Sequence, residues 1–405
     1  MKILHVNKFF DRRDGVDIYL DQLMRHQAER GHEVHVLATR APTNVQTPDE
    51  RYFVHRFNYA KSDGIREDIK KASAFLWNRE AMRAMDRMLR EIRPDLIHLH
   101  NIYHHLTTSI LAPIRTSGIR CVQTLHDLKL ACPNYSMFTQ GSVCERCKGG
   151  RYWNAVTHGC LSPSLPANVL GSCEMALSKI NQAYEKTVYR FIAPSEFLKA
   201  KMIEWGEPAA KFTLVRNPAV VASSPSPRGG GYILGVGRLA AIKGFETLIR
   251  AAARVPTISV RLAGTGPDED RLKHLARSLG ATNVMFLGFV HPTILDDLRA
   301  NADAVVVPSI CYENSPLALL EALGDGIPVL ASAIGGIPEL VTDGVEGLLA
   351  VPGNVDAWVA NLQTFQSLSE ERRREMGLKG QERIRTSHGW TEHVAKLDQV
   401  YLGKA

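Results

Sequence analysis

Short apolar runs alternate along this chain with longer stretches whose apolar positions recur at helical spacing. K-I-L-H-V-N (2–7) reads as a buried strand, I-Y-L-D-Q-L-M-R-H-Q-A-E-R (18–30) as an amphipathic helix closed by Gly31, and V-H-V-L-A-T (34–39) as a second strand. A strand–helix–strand unit of this kind predicts a parallel sheet. Residues 66–93 read as one basic helix, with Met82, Met85 and Met88 as a core-facing stripe, and Pro94 ends it. D-L-I-H-L-H-N (95–101) and R-C-V-Q-T-L-H-D (120–127) are the next strands. Segment 128–165 interrupts the alternation with cysteines, aromatics and glycines, and reads as an insertion. R-F-I-A-P-S (190–195) and F-T-L-V-R-N-P (212–218) complete the first set.

A-S-S-P-S-P-R-G-G-G (222–231) is a linker by composition. A second alternating set follows, with strands at 232–239, 258–264, 284–288, 304–309, 328–332 and 347–350, and a helical end from Trp358. The pattern predicts an α/β chain of two Rossmann-like, doubly wound domains in series, 1–221 and 232–387, facing a central cleft. In such sheets ligands sit at the carboxyl ends of the strands.

Length and composition agree with that division. A 405-residue chain with 45% hydrophobic and 22% charged residues exceeds one core and is too apolar to be disordered. No apolar run approaches the roughly 18 residues that span a bilayer. The N-terminus turns charged too soon for a signal peptide, so the expected location is the cytosol. Charge is uneven. Residues 1–218 carry 31 Lys and Arg against 22 Asp and Glu, and the remainder 18 against 20. The basic first half suits an anionic surface, such as the inner face of a plasma membrane.

The stretch C-Y-E-N-S-P-L-A-L-L-E (311–321) carries the chemistry. Ser315 is expected to cap a helix that Pro316 opens, leaving the amides of Leu317 and its neighbours free. Free amides at a helix start, on the positive end of its dipole, suit a diphosphate. Glu321 lies about 9 Å further along the axis at 1.5 Å per residue, the reach from a diphosphate to a ribose diol. Glu313 lies on the other side and is placed to take the hydroxyls of a second sugar. The Gly335–Gly336 turn is expected to let backbone approach that sugar.

E-N-S-P-L-A-L-L-E, followed by G-I-P-V and G-G-I-P-E, resembles the retaining glycosyltransferases of GT-B family 4. So do K-I-L-H-V-N, R-G-H-E-V, G-V-G-R-L-A-A-I-K-G (235–244), L-A-G-T-G-P (262–267) and F-L-G (286–288), and the resemblance covers nearly the whole chain. It implies a GT-B fold, with the final segment from about 388 crossing back to the first domain. It implies transfer of a sugar from a nucleotide-sugar donor to a saccharide or polyprenyl-linked acceptor, as in bacterial polysaccharide synthesis, with no metal needed for catalysis. Arg238 and Lys243 match the basic pair facing the donor diphosphate, Glu321 the ribose-binding glutamate, Glu313 the glutamate at the donor sugar, and His126 the histidine near the reacting sugar. Gly264, Asn314, Ser315, Pro316 and Leu317 fall in the donor-binding motifs. Gly15 matches part of a glycine loop, although this chain has Asp14–Gly15 where the family usually has Gly-Gly. D-E-D (268–270) resembles a metal-binding Asp-x-Asp, but reads here as the acidic start of a helix.

Cys132, Cys144, Cys147 and Cys160 are spaced C-x11-C-x2-C-x12-C. Four thiolates around a C-x-x-C suit a structural zinc, with free buried thiols or a redox disulfide as the competing readings. Two other functions compete. A nucleotide-sugar epimerase would need acid/base carboxylates on both sides of the sugar, which the Glu313/Glu321 unit does not offer. A nucleic-acid-binding module would need basic residues interleaved with stacking aromatics; the chain lacks such a run, and no nucleic-acid partner is expected.

Overall fold

The computed structural model describes every residue except 13, 224, 225, 227, 228 and 405. The strands of the first half are β1 (Lys2–Val6), β2 (Glu33–Leu37), β3 (Leu96–Leu99) and β4 (Arg120–Thr124), a small hairpin of β5 (Phe138–Thr139) and β6 (Ser142–Val143), then β7 (Arg190–Ala193) and β8 (Phe212–Leu214). Those of the second half are β9 (Tyr232–Val236), β10 (Ser259–Ala263), β11 (Val284–Gly288), β12 (Ala304–Val307), β13 (Val329–Ser332) and β14 (Gly347–Ala350).

They form two all-parallel, six-stranded sheets, ordered β2-β1-β3-β4-β7-β8 and β11-β10-β9-β12-β13-β14. Both are covered on each face, which is why their strands read as unbroken apolar runs. Strand order reverses at β1/β3 in one sheet and at β9/β12 in the other, and these are the two crevices where ligands of doubly wound sheets bind.

Phe191, Met85 and Met88 lie in the core of the first unit and Trp358 in that of the second. The last helix, Trp390–Tyr401, packs on the first sheet, where Val394, Leu397, Val400 and Tyr401 are buried against Ile3, Tyr19 and Leu23. Four of the ten linker residues, 224, 225, 227 and 228, lie outside the described residues. Beside them, Ala222 N–H donates to Gly324 O and Ser226 N–H to Asp325 O.

The basic helix expected over 66–93 is two helices, Ile65–Leu76 and Arg79–Ile92. Asn78 breaks it. Its Oδ1 caps the Ala81 amide at 3.0 Å and its Nδ2 donates to His105 O at 2.6 Å, so local capping overrides helical propensity. Of the methionine stripe, Met85 and Met88 are buried and Met82 sits half-buried at the flank. Among the described residues no helix is long and apolar enough to cross a membrane.

Candidate active site

The second crevice is built by the loops after β9 and β12. Strand β9 runs into Gly237 and Arg238, whose guanidinium is exposed and joins no ion pair among the described residues. A tight turn, Ala241–Lys243, then presents Lys243. Its ammonium meets Glu313 Oε1 at 2.7 Å, and the Ser309 hydroxyl donates to the same oxygen at 2.6 Å. Burial would raise the Glu313 pKa, but Lys243 and Ser309 more than offset it and hold the carboxyl below the usual glutamate value. The pairing likewise raises Lys243 against the opposing effect of burial. Two residues expected on opposite components of a donor, its diphosphate and its sugar, are thus one charged unit.

The following helix is Leu317–Gly324, and Pro316 occupies its cap position in an extended conformation, with no side-chain cap. Ser315 is therefore not the cap. It falls one residue too early to reach the amides of the first turn, and its hydroxyl is buried with no partner among the described residues. The amides of Leu317 and Ala318 find no acceptor among the described hydrogen bonds. Leu317 also borders Gly15, where an added Cβ would lie 3.0 Å from Leu317 Cδ1. Asp14 caps the Gly15–Glu29 helix through the Val16 and Asp17 amides, at 3.0 and 3.2 Å. The carboxylate of this chain's departure from Gly-Gly thus already fills the anion-binding end of that helix.

Glu321 accepts from Arg299 Nη1 at 3.1 Å, and Arg299 also pairs with Asp325 at 2.6 Å and Asp296 at 3.0 Å. Crowding by protein raises the Glu321 pKa, which Arg299 partly opposes. The Glu321 side chain remains 43% exposed.

Three sets of residues expected at the donor also make contacts within the protein. Gly335 and Gly336 pack against the chain itself: an added Cβ would lie 2.1 Å from Glu313 O or 2.0 Å from Asn314 O, and Gly336 N–H donates to Glu313 O at 2.7 Å. The turn therefore holds the Glu313–Asn314 backbone in place. Asn314 faces the first unit, accepting from the Ser195 hydroxyl at 2.6 Å and donating to Leu125 O at 3.3 Å. Gly264 packs against Gly237, with 1.9 Å between its would-be Cβ and Gly237 O. A second inter-unit clasp lies nearby, where Glu339 accepts from the Glu196 and Phe197 amides at 2.9 and 2.5 Å.

His126 follows β4 on the first unit. It begins a buried chain: His126 Nε2 to His100 Nδ1 (3.0 Å), His100 Nε2 to His5 Nδ1 (3.2 Å), His5 Nε2 to Gln27 Oε1 (2.7 Å), and Gln27 Nε2 to the Tyr401 hydroxyl (2.9 Å). His98 joins Tyr401 to Thr124 at 2.8 and 2.7 Å. With Gln27 donating to Tyr401, its oxygen requires the His5 proton on Nε2. His5 Nδ1 then accepts from His100, and His100 Nδ1 from His126. The chain thus fixes the proton of His126 on Nε2. Its Nδ1 has no hydrogen-bond partner among the described residues, and the residue as a whole is half-buried. Burial holds the pKa of His126 down at about 3, so the ring stays neutral at physiological pH and offers Nδ1 as an acceptor.

Lys8, at the end of β1, lies 3.8 Å over the Tyr103 ring, with its pKa lowered to about 8 by burial against the opposing pull of Asp127 and Asp14. Tyr103 donates to Asp127. Lys8 and Arg299 carry no sequence signal beyond their type. The H-x-H of β3 does, since alternate strand positions share one face.

Comparison with known proteins agrees with this architecture. Solved structures of the same fold include sucrose-phosphate synthase from Thermosynechococcus elongatus, with a TM-score of 0.72, 19% identity and coverage of 100% of this chain and 98% of that one. Another is Anabaena HepE in complex with UDP and glucose, at 0.71, 17% and full coverage of both. The two facing parallel sheets define a GT-B architecture. The Glycosyltransferase Family 4 pattern matches residues 13–221, and the Glycosyl transferases group 1 pattern matches residues 218–383. The chain belongs to glycosyltransferase family 4. Curated relatives include D-inositol 3-phosphate glycosyltransferases from Mycobacterium leprae, 37% identical over 150 residues (35% of each chain), and from Corynebacterium glutamicum, 34% over 177 residues (41% and 42%). The match spans about a third of the length of the first such relatives.

Proposed function

We propose that this chain transfers a sugar from a nucleoside-diphosphate sugar to a hydroxyl of a saccharide or polyprenyl-linked saccharide, with retention at the anomeric carbon and without a catalytic metal. One observation carries the reading: an uncapped helix start, Leu317–Ala318, beside the Lys243–Glu313 pair and the unpaired Arg238. Amides, Arg238 and Lys243 together neutralise the charge that grows on a leaving diphosphate. Glu321 takes the ribose diol, and His126 Nδ1 accepts from a sugar hydroxyl.

A double displacement needs a carboxylate nucleophile beside the anomeric carbon. Glu313 is already held by Lys243 and Ser309, which favours departure and attack on one face, with the leaving phosphate drawing the acceptor's proton. A lipid-linked acceptor is supported by the basic first half and by Ile65 and Ile69, exposed on a helix with Arg66 and Lys70. A panel of UDP-, GDP- and ADP-sugars, with the product's anomeric configuration read by NMR, tests the proposal. A retained glycosidic product is expected; inversion, or an epimerised donor, overturns it.

A further inference from the structure

The insertion between β4 and β7 has little core of its own. Its Trp153 is exposed; within residues 128–165, Leu128, Leu130, Ala131, Cys132 and Met137 join the core of the first unit, which leaves Phe138, Cys147 and Ala155 as buried apolar side chains of the insertion itself. Yet its backbone is tightly constrained. Tyr135, Met137 and Gln140 all adopt positive φ, at 56°, 47° and 51°. Such conformations persist where the surroundings over-determine them. A short strand pair, one turn of helix and a few apolar side chains are slender support, the condition in which small folds use a disulfide or a metal.

The four cysteines provide the means. Cys132, Cys144, Cys147 and Cys160 line one small cavity of about 10 Å³, together with Pro133, Asn134, Phe138, Thr139 and Ala155. Residues far apart in sequence are brought there by local bonds: Cys144 N–H to Met137 O at 2.7 Å, Cys160 N–H to Ala155 O at 3.1 Å, and Asn134 Nδ2 to both Phe138 O and Cys160 O, at 2.8 and 3.2 Å. All four sulfurs are free, with no disulfide among them. No carboxylate or imidazole lines the cavity, so its four ionisable donors are all sulfur, the set that selects a soft or borderline metal in tetrahedral geometry. Arg146, inside the C-x-x-C, donates from Nη1 to Cys144 Sγ at 3.5 Å, a contact that tempers the negative charge of a thiolate.

We infer that Cys132, Cys144, Cys147 and Cys160 bind one structural zinc ion. Four thiols lose their protons to solvent and form four S–Zn bonds; nothing is oxidised or reduced. Closing the shell draws the sulfurs inward around the cavity they already share. The ion ties two arms of the insertion to the cleft. Tyr135, between the first and second ligands, stacks on Tyr103 with centroids 5.4 Å apart and lies within electrostatic reach of Arg238. Glu145, inside the C-x-x-C, accepts from the Tyr312 hydroxyl of the second unit and from Lys201, each at 2.8 Å. The zinc thereby holds the wall of the first unit against the donor loop.

Protein purified without chelator is assayed by elemental analysis, beside a Cys144→Ser/Cys147→Ser variant and a Cys173→Ser control, which replaces an exposed cysteine outside the cavity. About one zinc per wild-type and control chain is expected, released by a mercurial thiol reagent and lost in the double variant. Because that variant can fail to fold, cobalt is also exchanged into the wild type, where sulfur-to-cobalt charge-transfer bands and a tetrahedral visible spectrum are expected. A wild-type chain with no metal and no cobalt uptake, with iron and sulfide, or with these four thiols paired as disulfides overturns the assignment.

Discussion

Glu313 Oε1 lies 2.7 Å from Lys243 Nζ, joining the loops that follow β9 and β12 across the point where strand order reverses. The pair is mostly enclosed, so removing one member strands the other's charge. Lys243→Ala is expected to lower turnover by about 100-fold or more, roughly 2.7 kcal/mol of transition-state stabilisation, and to lower Tm. Lys243→Ala/Glu313→Ala is expected to recover Tm while turnover stays low. Thermal melts and kcat/KM on the three proteins check this; a double variant with normal turnover would show the pair to be structural only.

The imidazole chain makes stability depend on pH. His5 and His126 have pKa values lowered to about 4 and about 3, chiefly by burial. The unfolded chain takes up these protons below about pH 6.5 and the folded chain does not. Stability is therefore fully present above about pH 6.5 and falls as pH drops toward 4, by about 1.4 kcal/mol per pH unit for each such ring. Denaturant melts from pH 7.5 to 4.5 read the slope, and His5→Gln should make it shallower.

His100 touches no reacting atom in this account and acts as a positioning residue for His126. His100→Ala frees the His126 tautomer, and kcat should fall by about 10-fold at unchanged donor KM. The wild-type kcat profile should show no histidine limb between about pH 6 and 8, whereas the variant should acquire an acid limb as water filling the space left by His100 raises the His126 pKa. An identical profile in both proteins would leave His100 a packing residue.

Gly336 tests the contact between turn and donor loop. A Cβ there would lie 2.0 Å from Asn314 O, whereas at Gly344, which also sits in a turn, nothing lies within 4 Å. Gly336→Ala should lower Tm and donor affinity together, by more than 10-fold in affinity, because it displaces Glu313 and Asn314. Gly344→Ala should cost only about 1 kcal/mol, for its φ of 74°, and leave affinity intact. Calorimetry on both variants checks the pair.

Much of the architecture was legible because buried parallel strands leave continuous apolar runs with helices between them. Boundaries were less so. Asn78 looks like one polar residue in a helical window, and only its bond to His105 O reveals a cap. Ser315 has the chemistry of a cap, but Pro316 keeps an extended backbone and starts the helix one residue later. The residues of the donor motif were readable, but their partners were not. Arg299, Ser195 and Gln27 meet Glu321, Asn314 and His5 through folding alone, and nothing in their spacing announces it. The contact of the Gly335–Gly336 turn with the Glu313–Asn314 backbone was not readable either, because sequence cannot tell which backbone a glycine approaches.

The central claim is that free amides and two cations hold a diphosphate between the two units. Titrating UDP, GDP and ADP into the wild type and into Arg238→Ala/Lys243→Ala by calorimetry tests it directly. The account predicts salt-sensitive binding of at least one nucleotide by the wild type, weakened by about 100-fold in the variant. Equal affinity in both proteins, or no binding of any of the three by the wild type, would contradict it.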